Sequence, residues 1–152
     1  MSDKPLKVRE VSNQELQITL MSRNELIRDL RQKIKHFAKQ QGFGDDDVFE
    51  VQLALNEALA NVIEHAYRGD QNGRIDVKFH ADANGDLVII IKDYGQKCDP
   101  TRLKPRDLDE LRDGGLGLFL MEKLMDVVQF DFSQDDGTVL TLIKRKQCQK
   151  EA

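Results

Sequence analysis

Leu16, Ile18 and Leu20 alternate with Glu15, Gln17 and Thr19, the period of two expected of a strand with one buried face. Residues 1–14 are polar with one apolar alternation at Leu6 and Val8, which fits either an edge strand or a loose arm. After Ser22 the period changes: Leu26, Ile27, Leu30, Ile34, Phe37 and Ala38 recur at helical spacing. Ser22 with Glu25 reads as a capping box for this helix, and Gly42 and Gly44 close it near residue 41. Asp45, Asp46 and Asp47 suit the positive end of a second helix, whose stripe of Val48, Val51, Leu55, Leu59, Val62 and Ala66 runs to about Tyr67.

Two strands follow, Arg74 to Ala81 and the apolar run Leu87 to Ile91, with Asn84-Gly85 as a hairpin turn between them. Periodicity then fails from Tyr94 to Asp113, and connections of that length are commonly functional lids. Gly114-Gly115-Leu116-Gly117 leads into a third helix carrying Leu118, Phe119, Met121, Leu124 and Met125. Val127 to Phe132 and Thr138 to Ile143 form a last hairpin across Asp135-Asp136-Gly137.

The order is strand, helix, helix, strand, strand, lid, helix, strand, strand. Hairpins imply a mixed, mostly antiparallel sheet, and three helices on one face make a two-layer α/β sandwich of the α+β class. Residues 1–14 are expected to be an arm or edge strand, 15–146 the functional domain, and 147–152 a frayed tail.

Charge narrows the function classes. Twenty-three Lys and Arg against 27 Asp and Glu give a net charge of −4, unlike the clustered positive excess of nucleic-acid binders. Cys98 and Cys148 lie far apart and belong to no Cys/His cluster, so neither a zinc site nor a disulfide framework is indicated. The sequence has no membrane-length apolar run, and MSDKPLKVRE carries no signal-peptide core, so a cytoplasmic protein is expected.

Four short motifs can carry chemistry. Glu57 and Asn61, four apart, share one face of the second helix and offer hard oxygens suited to Mg²⁺ or to orienting a hydroxyl; the same spacing also suits a solvated face. Asp93-Tyr94-Gly95 ends an apolar strand with an acceptor carboxylate beside a glycine, or is a plain strand-to-loop turn. Gly114, Gly115 and Gly117 at a helix start bring free N–H groups together, a ready phosphate site. Gly137-Thr138 lies in the last hairpin.

In this order and spacing the motifs resemble the ATP-binding fold shared by gyrase, Hsp90, sensor histidine kinases and mismatch-repair proteins. The matches are its N box (Glu57, Asn61), G1 box (Asp93, Gly95), G2 box (Gly114, Gly115, Gly117) and terminal Gly137-Thr138. Within that superfamily, residues 56–67, Asn-Glu-Ala-Leu-Ala-Asn-Val-Ile-Glu-His-Ala-Tyr, resemble the anti-sigma-factor serine kinases of bacterial partner-switching systems.

The resemblance implies roles residue by residue. Asp93 would accept from the adenine amino group, with Gly95 and Thr138 completing that pocket. Asn61 would ligate Mg²⁺, and Gly114, Gly115 and Gly117 would meet the phosphates, with Leu116 and Leu118 anchoring the lid hinge. Glu57 would be the general base toward a protein serine, and Arg112 would face the transferred phosphoryl group. It implies ATP and Mg²⁺ as cofactors, a STAS-type anti-anti-sigma protein as substrate, a sigma factor or another regulated protein as second partner, and a homodimer through the first strand and helix. One departure is plain: where many members have D-x-G-x-G, this chain has Lys97 in place of the second glycine. An ATP-gated binding module without phosphotransfer therefore stands beside the kinase reading. His36 reads as a surface residue of the first helix and His65 as packed near the nucleotide or lid; neither reads as a phosphoacceptor.

Overall fold

The computed structural model describes residues 4–97 and 116–147. Among these residues six strands form one sheet: β1 (Leu6–Ser12), β2 (Glu15–Met21), β3 (Arg74–Ala81), β4 (Leu87–Asp93), β5 (Val127–Asp131) and β6 (Val139–Lys144). Their order is β1-β2-β3-β4-β6-β5. Every pairing among them is antiparallel, so the sheet has no parallel component within the described residues. The α+β sandwich expected from the sequence is the fold observed, and the polar N-terminal segment is an edge strand.

Alternation decides which side of each strand is covered. Ile18 and Leu20 on β2, Ile75, Val77 and Phe79 on β3, and Leu87, Ile89 and Ile91 on β4 all point into the core. Among the described residues three α-helices pack there: α1 (Asn24–Gln40), α2 (Asp45–Asn61) and α3 (Leu116–Leu124). The tilted ring pair Phe37–Phe79, 6.0 Å between centroids, joins α1 to β3. The helix α2 lies between the other two, and its small residues Ala54 and Ala58, both fully buried, admit the close approach.

Helix ends depart from expectation in two places. Ser22 does not cap α1; its hydroxyl donates to the Asp70 carbonyl and accepts the Gly73 N–H at 2.9 Å, and Arg23 occupies the cap position without a side-chain bond. A long-range partner has outcompeted the local capping box. At the other end Gly42 adopts φ +90, with Gly42 N–H bonded to Lys39 O and Phe43 N–H to Ala38 O. This paired closure needs a left-handed residue, which glycine takes without strain.

The second difference matters more. The apolar stripe of α2 predicts one helix to Tyr67, but the α-helix stops at Asn61 and continues as a π-turn over Val62–Ala66. Tyr67 N–H reaches back five residues to Val62 O at 3.0 Å. The extra residue per turn rotates Ala66 and Tyr67 away from where 3.6-residue periodicity would put them.

Candidate functional site

Two clusters form along the C-terminal part of this helix, one at its last α-turns and one at the π-turn. The first centres on Glu57 and Asn61, both half-buried on the side of α2 that meets α3. Gly117, one residue into α3, is pressed against them. A Cβ placed there would lie 3.1 Å from Glu57 Oε2, 3.3 Å from Asn61 Nδ2 and 3.6 Å from Asn61 Oδ1. The absence of a side chain at 117 therefore lets a helix start abut a carboxylate and a carboxamide. Leu118 next to it is partly buried against the core. Glu57 Oε2 and Asn61 Oδ1 are adjacent hard oxygens of the kind Mg²⁺ takes, so the donor set fits a magnesium–phosphate group at this point.

The second cluster surrounds Asp93. Its register opposite Ile75 turns its side chain inward, where it is 4% exposed. Oδ1 accepts the Gly95 N–H at 3.1 Å, and the Thr138 N–H also donates to the carboxylate. Thr138 O in turn accepts the Asp93 N–H at 3.0 Å. Thr138 is buried, but it sits just before β6, so it meets Asp93 through its backbone. Burial pushes the Asp93 carboxyl above the usual carboxylate range, and these N–H groups offset part of that push. The described residues place no ion-pair partner beside it. An inward carboxylate held by backbone amides, without a cation, is suited to accepting from a neutral amine.

Two glycines make this burial feasible. Gly137, at φ +71, packs so closely that a Cβ would lie 2.0 Å from the Asp93 carbonyl oxygen. A Cβ on Gly95 would lie 2.4 Å from the Ala66 carbonyl oxygen. The resemblance puts Gly95 in the adenine pocket; the atoms its missing side chain makes room for in this structure belong to the π-turn. The same carbonyl, Ala66 O, accepts the Gln96 N–H at 2.8 Å.

The departure at Lys97 has a structural counterpart: Nζ donates to Phe132 O at 2.8 Å, tying the loop after β4 to the end of β5. His36 is exposed, as expected, and His65 is half-buried in the π-turn. Arg112, Gly114 and Gly115, the side chain of Leu116 and most of the expected lid lie outside the described residues.

Glu57, Asn61 and Gly117 thus form one cluster and Asp93, Gly95 and Thr138 another, joined through the helix and its π-turn. Sequence reasoning missed Ala66 and Tyr67 as partners of the loop after β4. Only the offset between Asn61 and the end of the apolar stripe hints at their involvement. A groove of about 720 Å³ lies elsewhere, between β1 and α1, lined by Leu6, Val8, Leu26, His36 and Phe37 among others.

Comparison with known proteins gives the family and the fold. Residues 20–144 match the family described as the histidine kinase-like ATPase domain. A serine-protein kinase RsbW of Halalkalibacterium halodurans is 31% identical over 137 residues, covering 85% of this chain and 82% of that one. That of Bacillus subtilis is 31% identical over 123 residues, covering 75% and 76%. Among solved structures, the RsbU and RsbW domains of a Mycobacterium tuberculosis protein superpose with a TM-score of 0.65 at 23% identity. That match covers 86% of this chain but 32% of the longer one, and it speaks for the fold alone.

Proposed function

The chain belongs to the histidine kinase-like ATPase family and to its RsbW branch, and from that premise we propose that it is an ATP-dependent protein-serine kinase of a partner-switching system. The observation that carries this reading is the convergence of Glu57, Asn61 and Gly117 at the C-terminal end of α2, with Asp93 buried just beyond it, behind the loop that rests on the π-turn. This arrangement supports a nucleotide lying along the helix, base toward Asp93 and phosphates toward Gly117.

In this reading Asp93 accepts from the adenine amino group, and the backbone at Gly114, Gly115 and Gly117 donates to phosphate oxygens at the start of α3. Mg²⁺, held by Asn61, would neutralise phosphate charge when bound. Glu57 takes the proton of a partner's serine hydroxyl; that oxygen bonds to the γ-phosphorus as the bond to the ADP oxygen breaks. Arg112 is assigned to the charge on the transferring group, and Leu116 and Leu118 to the lid hinge. The substrate is a STAS-type anti-anti-sigma protein, and its phosphorylation frees the kinase to hold a sigma factor or another regulated protein. A homodimer through β1 and α1 is supported by the open groove there and by exposed Val8 and Val11. Among the described residues no helix is long and apolar enough to cross a membrane, which is consistent with the cytoplasmic site we assign; no nucleic-acid partner is assigned.

The test is phosphate transfer from radiolabelled ATP to a STAS protein encoded near this chain's gene. Wild type should label the serine, and Glu57→Gln should bind MgATP but transfer at a rate lower by about 10²-fold or more. Full transfer by Glu57→Gln would remove Glu57 from its role. The Lys97–Phe132 tether favours one second reading, a module in which ATP only orders the partner-binding surface. ATP binding without transfer by the wild type would select it.

A further inference from the structure

The loop that follows β4 is held from below by the exit of the π-turn, and one side chain there has no role in the scheme above. Tyr67 lies with its ring over Gly73, where a Cβ would sit 2.5 Å from ring carbons. Its hydroxyl donates to the Arg74 carbonyl and accepts the Tyr94 N–H at 2.8 Å. Both hydrogen-bonding capacities of the phenol are therefore used between backbones, and burial lifts its pKa above the ordinary tyrosine value.

The contacts along the loop are consecutive. Tyr94 N–H bonds Tyr67 Oη, Gly95 rests on Ala66, and Gln96 N–H bonds Ala66 O. Between the two anchored amides lies Gly95 N–H, the donor that orients Asp93 Oδ1. If the loop shifts, the Gly95 amide shifts with it, and the Asp93 carboxylate loses the bond that fixes its plane. The Tyr94 hydroxyl adds a tie of its own to Asp76 Oδ2 at 2.5 Å on the exposed side of β3, but its backbone N–H, next to the Gly95 amide, is held by Tyr67.

We infer that Tyr67 is a positioning residue for adenine recognition: through its hydroxyl it fixes the backbone that aims Asp93 at the base. The inference rests on the proposed role of Asp93. It predicts an effect on nucleotide affinity rather than on the chemical step, because Glu57 and Asn61 precede the π-turn and touch none of these atoms.

The experiment uses the full chain with Tyr67→Phe, which keeps the ring on Gly73 and deletes one oxygen. Calorimetric titration with MgATP should show Kd raised about three- to tenfold, the scale of one neutral hydrogen bond. Phosphotransfer at saturating ATP should stay within about twofold of wild type, so that KM rises and kcat does not. Gly73→Ala, whose Cβ would displace the Tyr67 ring, should raise Kd in the same direction. An unchanged Kd in Tyr67→Phe would overturn the inference, as would a loss of kcat with Kd unaltered. A wild type that binds no MgATP would instead overturn the nucleotide reading itself.

Discussion

Asp93→Asn should move stability and nucleotide affinity in opposite directions. The wild-type carboxylate is buried, held by the Gly95 and Thr138 amides, and its pKa is raised by that burial. A raised acid pKa means the native state binds the proton more tightly than the unfolded chain. The ionised form therefore costs stability at neutral pH, a cost relieved as pH falls through the native pKa. Asparagine keeps an oxygen for the Gly95 N–H at nearly the same volume but carries no charge. Replacing a buried charge by a neutral group of similar shape is commonly neutral or stabilising, here by up to about 1 kcal/mol, or about 2–4 °C in Tm for a chain of this size. Against adenine the balance reverses, because a charge-assisted bond of about 1.5–3 kcal/mol is lost and an NH₂ group is set facing another NH₂. MgATP affinity should fall by about 10- to 100-fold. Scanning calorimetry of the apo proteins and titration with MgATP measure both terms on the same samples. A variant that melts clearly below wild type while binding MgATP equally well would refute the placement of Asp93 as a buried acceptor for the base.

Gly137→Ala combines a left-handed backbone with a Cβ 2.0 Å from Asp93 O; a loss of about 3 kcal/mol, read by urea denaturation, is expected because the backbone must move. Lys144, almost fully buried at the end of β6, bonds Glu50 Oε2 and Leu124 O, so it fastens the end of α3 to α2. Lys144→Ala removes both bonds, though water can reach the 40% exposed Glu50, and should cost about 1–3 kcal/mol, with Lys144→Arg recovering part of it in the same denaturation assay. For Asp76, burial raises the carboxyl pKa, but hydrogen bonds from Tyr94, Arg74 and Thr19 outweigh it and hold the group below its ordinary value. Its contribution is thus present above the unfolded pKa and lost as pH falls through the native one; the stability gap between wild type and Asp76→Asn should be open at pH 7 and narrow steadily as the solution is acidified below the ordinary carboxylate range.

The fold was largely legible because its periods are clean. Ile75, Val77 and Phe79 alternate, Leu26 to Ala38 recur at helical spacing, and Asn84-Gly85 marks a hairpin. Where the reading failed, a contact distant in sequence had won. Ser22 looks like a cap for Glu25 until the 70–73 loop, some fifty residues on, claims its hydroxyl. Strand β4 continues to Asp93 because a polar residue at an inward position is no end signal when backbone amides await it. The site was legible as a set of residue types, and the reason for several of them was not. Gly95 and Gly137 are excluded from carrying a side chain by Ala66 and Asp93, atoms of the protein, before any ligand is considered.

The π-turn explains why one helix serves two clusters. Glu57 and Asn61 need α-spacing to share a face toward Gly117, and a continued α-helix would keep the next positions in that same 100° progression. The loop after β4 lies on another side, where Ala66 O and Tyr67 Oη must both point to receive Gln96 and Tyr94. One five-residue turn supplies the rotation. Its cost in regular hydrogen bonding is offset by the bonds it makes possible to the loop, and the Val62–Tyr67 and Ile63–Gly69 bonds keep its own backbone satisfied. A residue deleted within Val62–Ala66 would restore α-geometry without touching a proposed catalytic group. It would leave Glu57, Asn61 and Gly117 together while releasing Gly95, and with it the carboxylate that aims at the base.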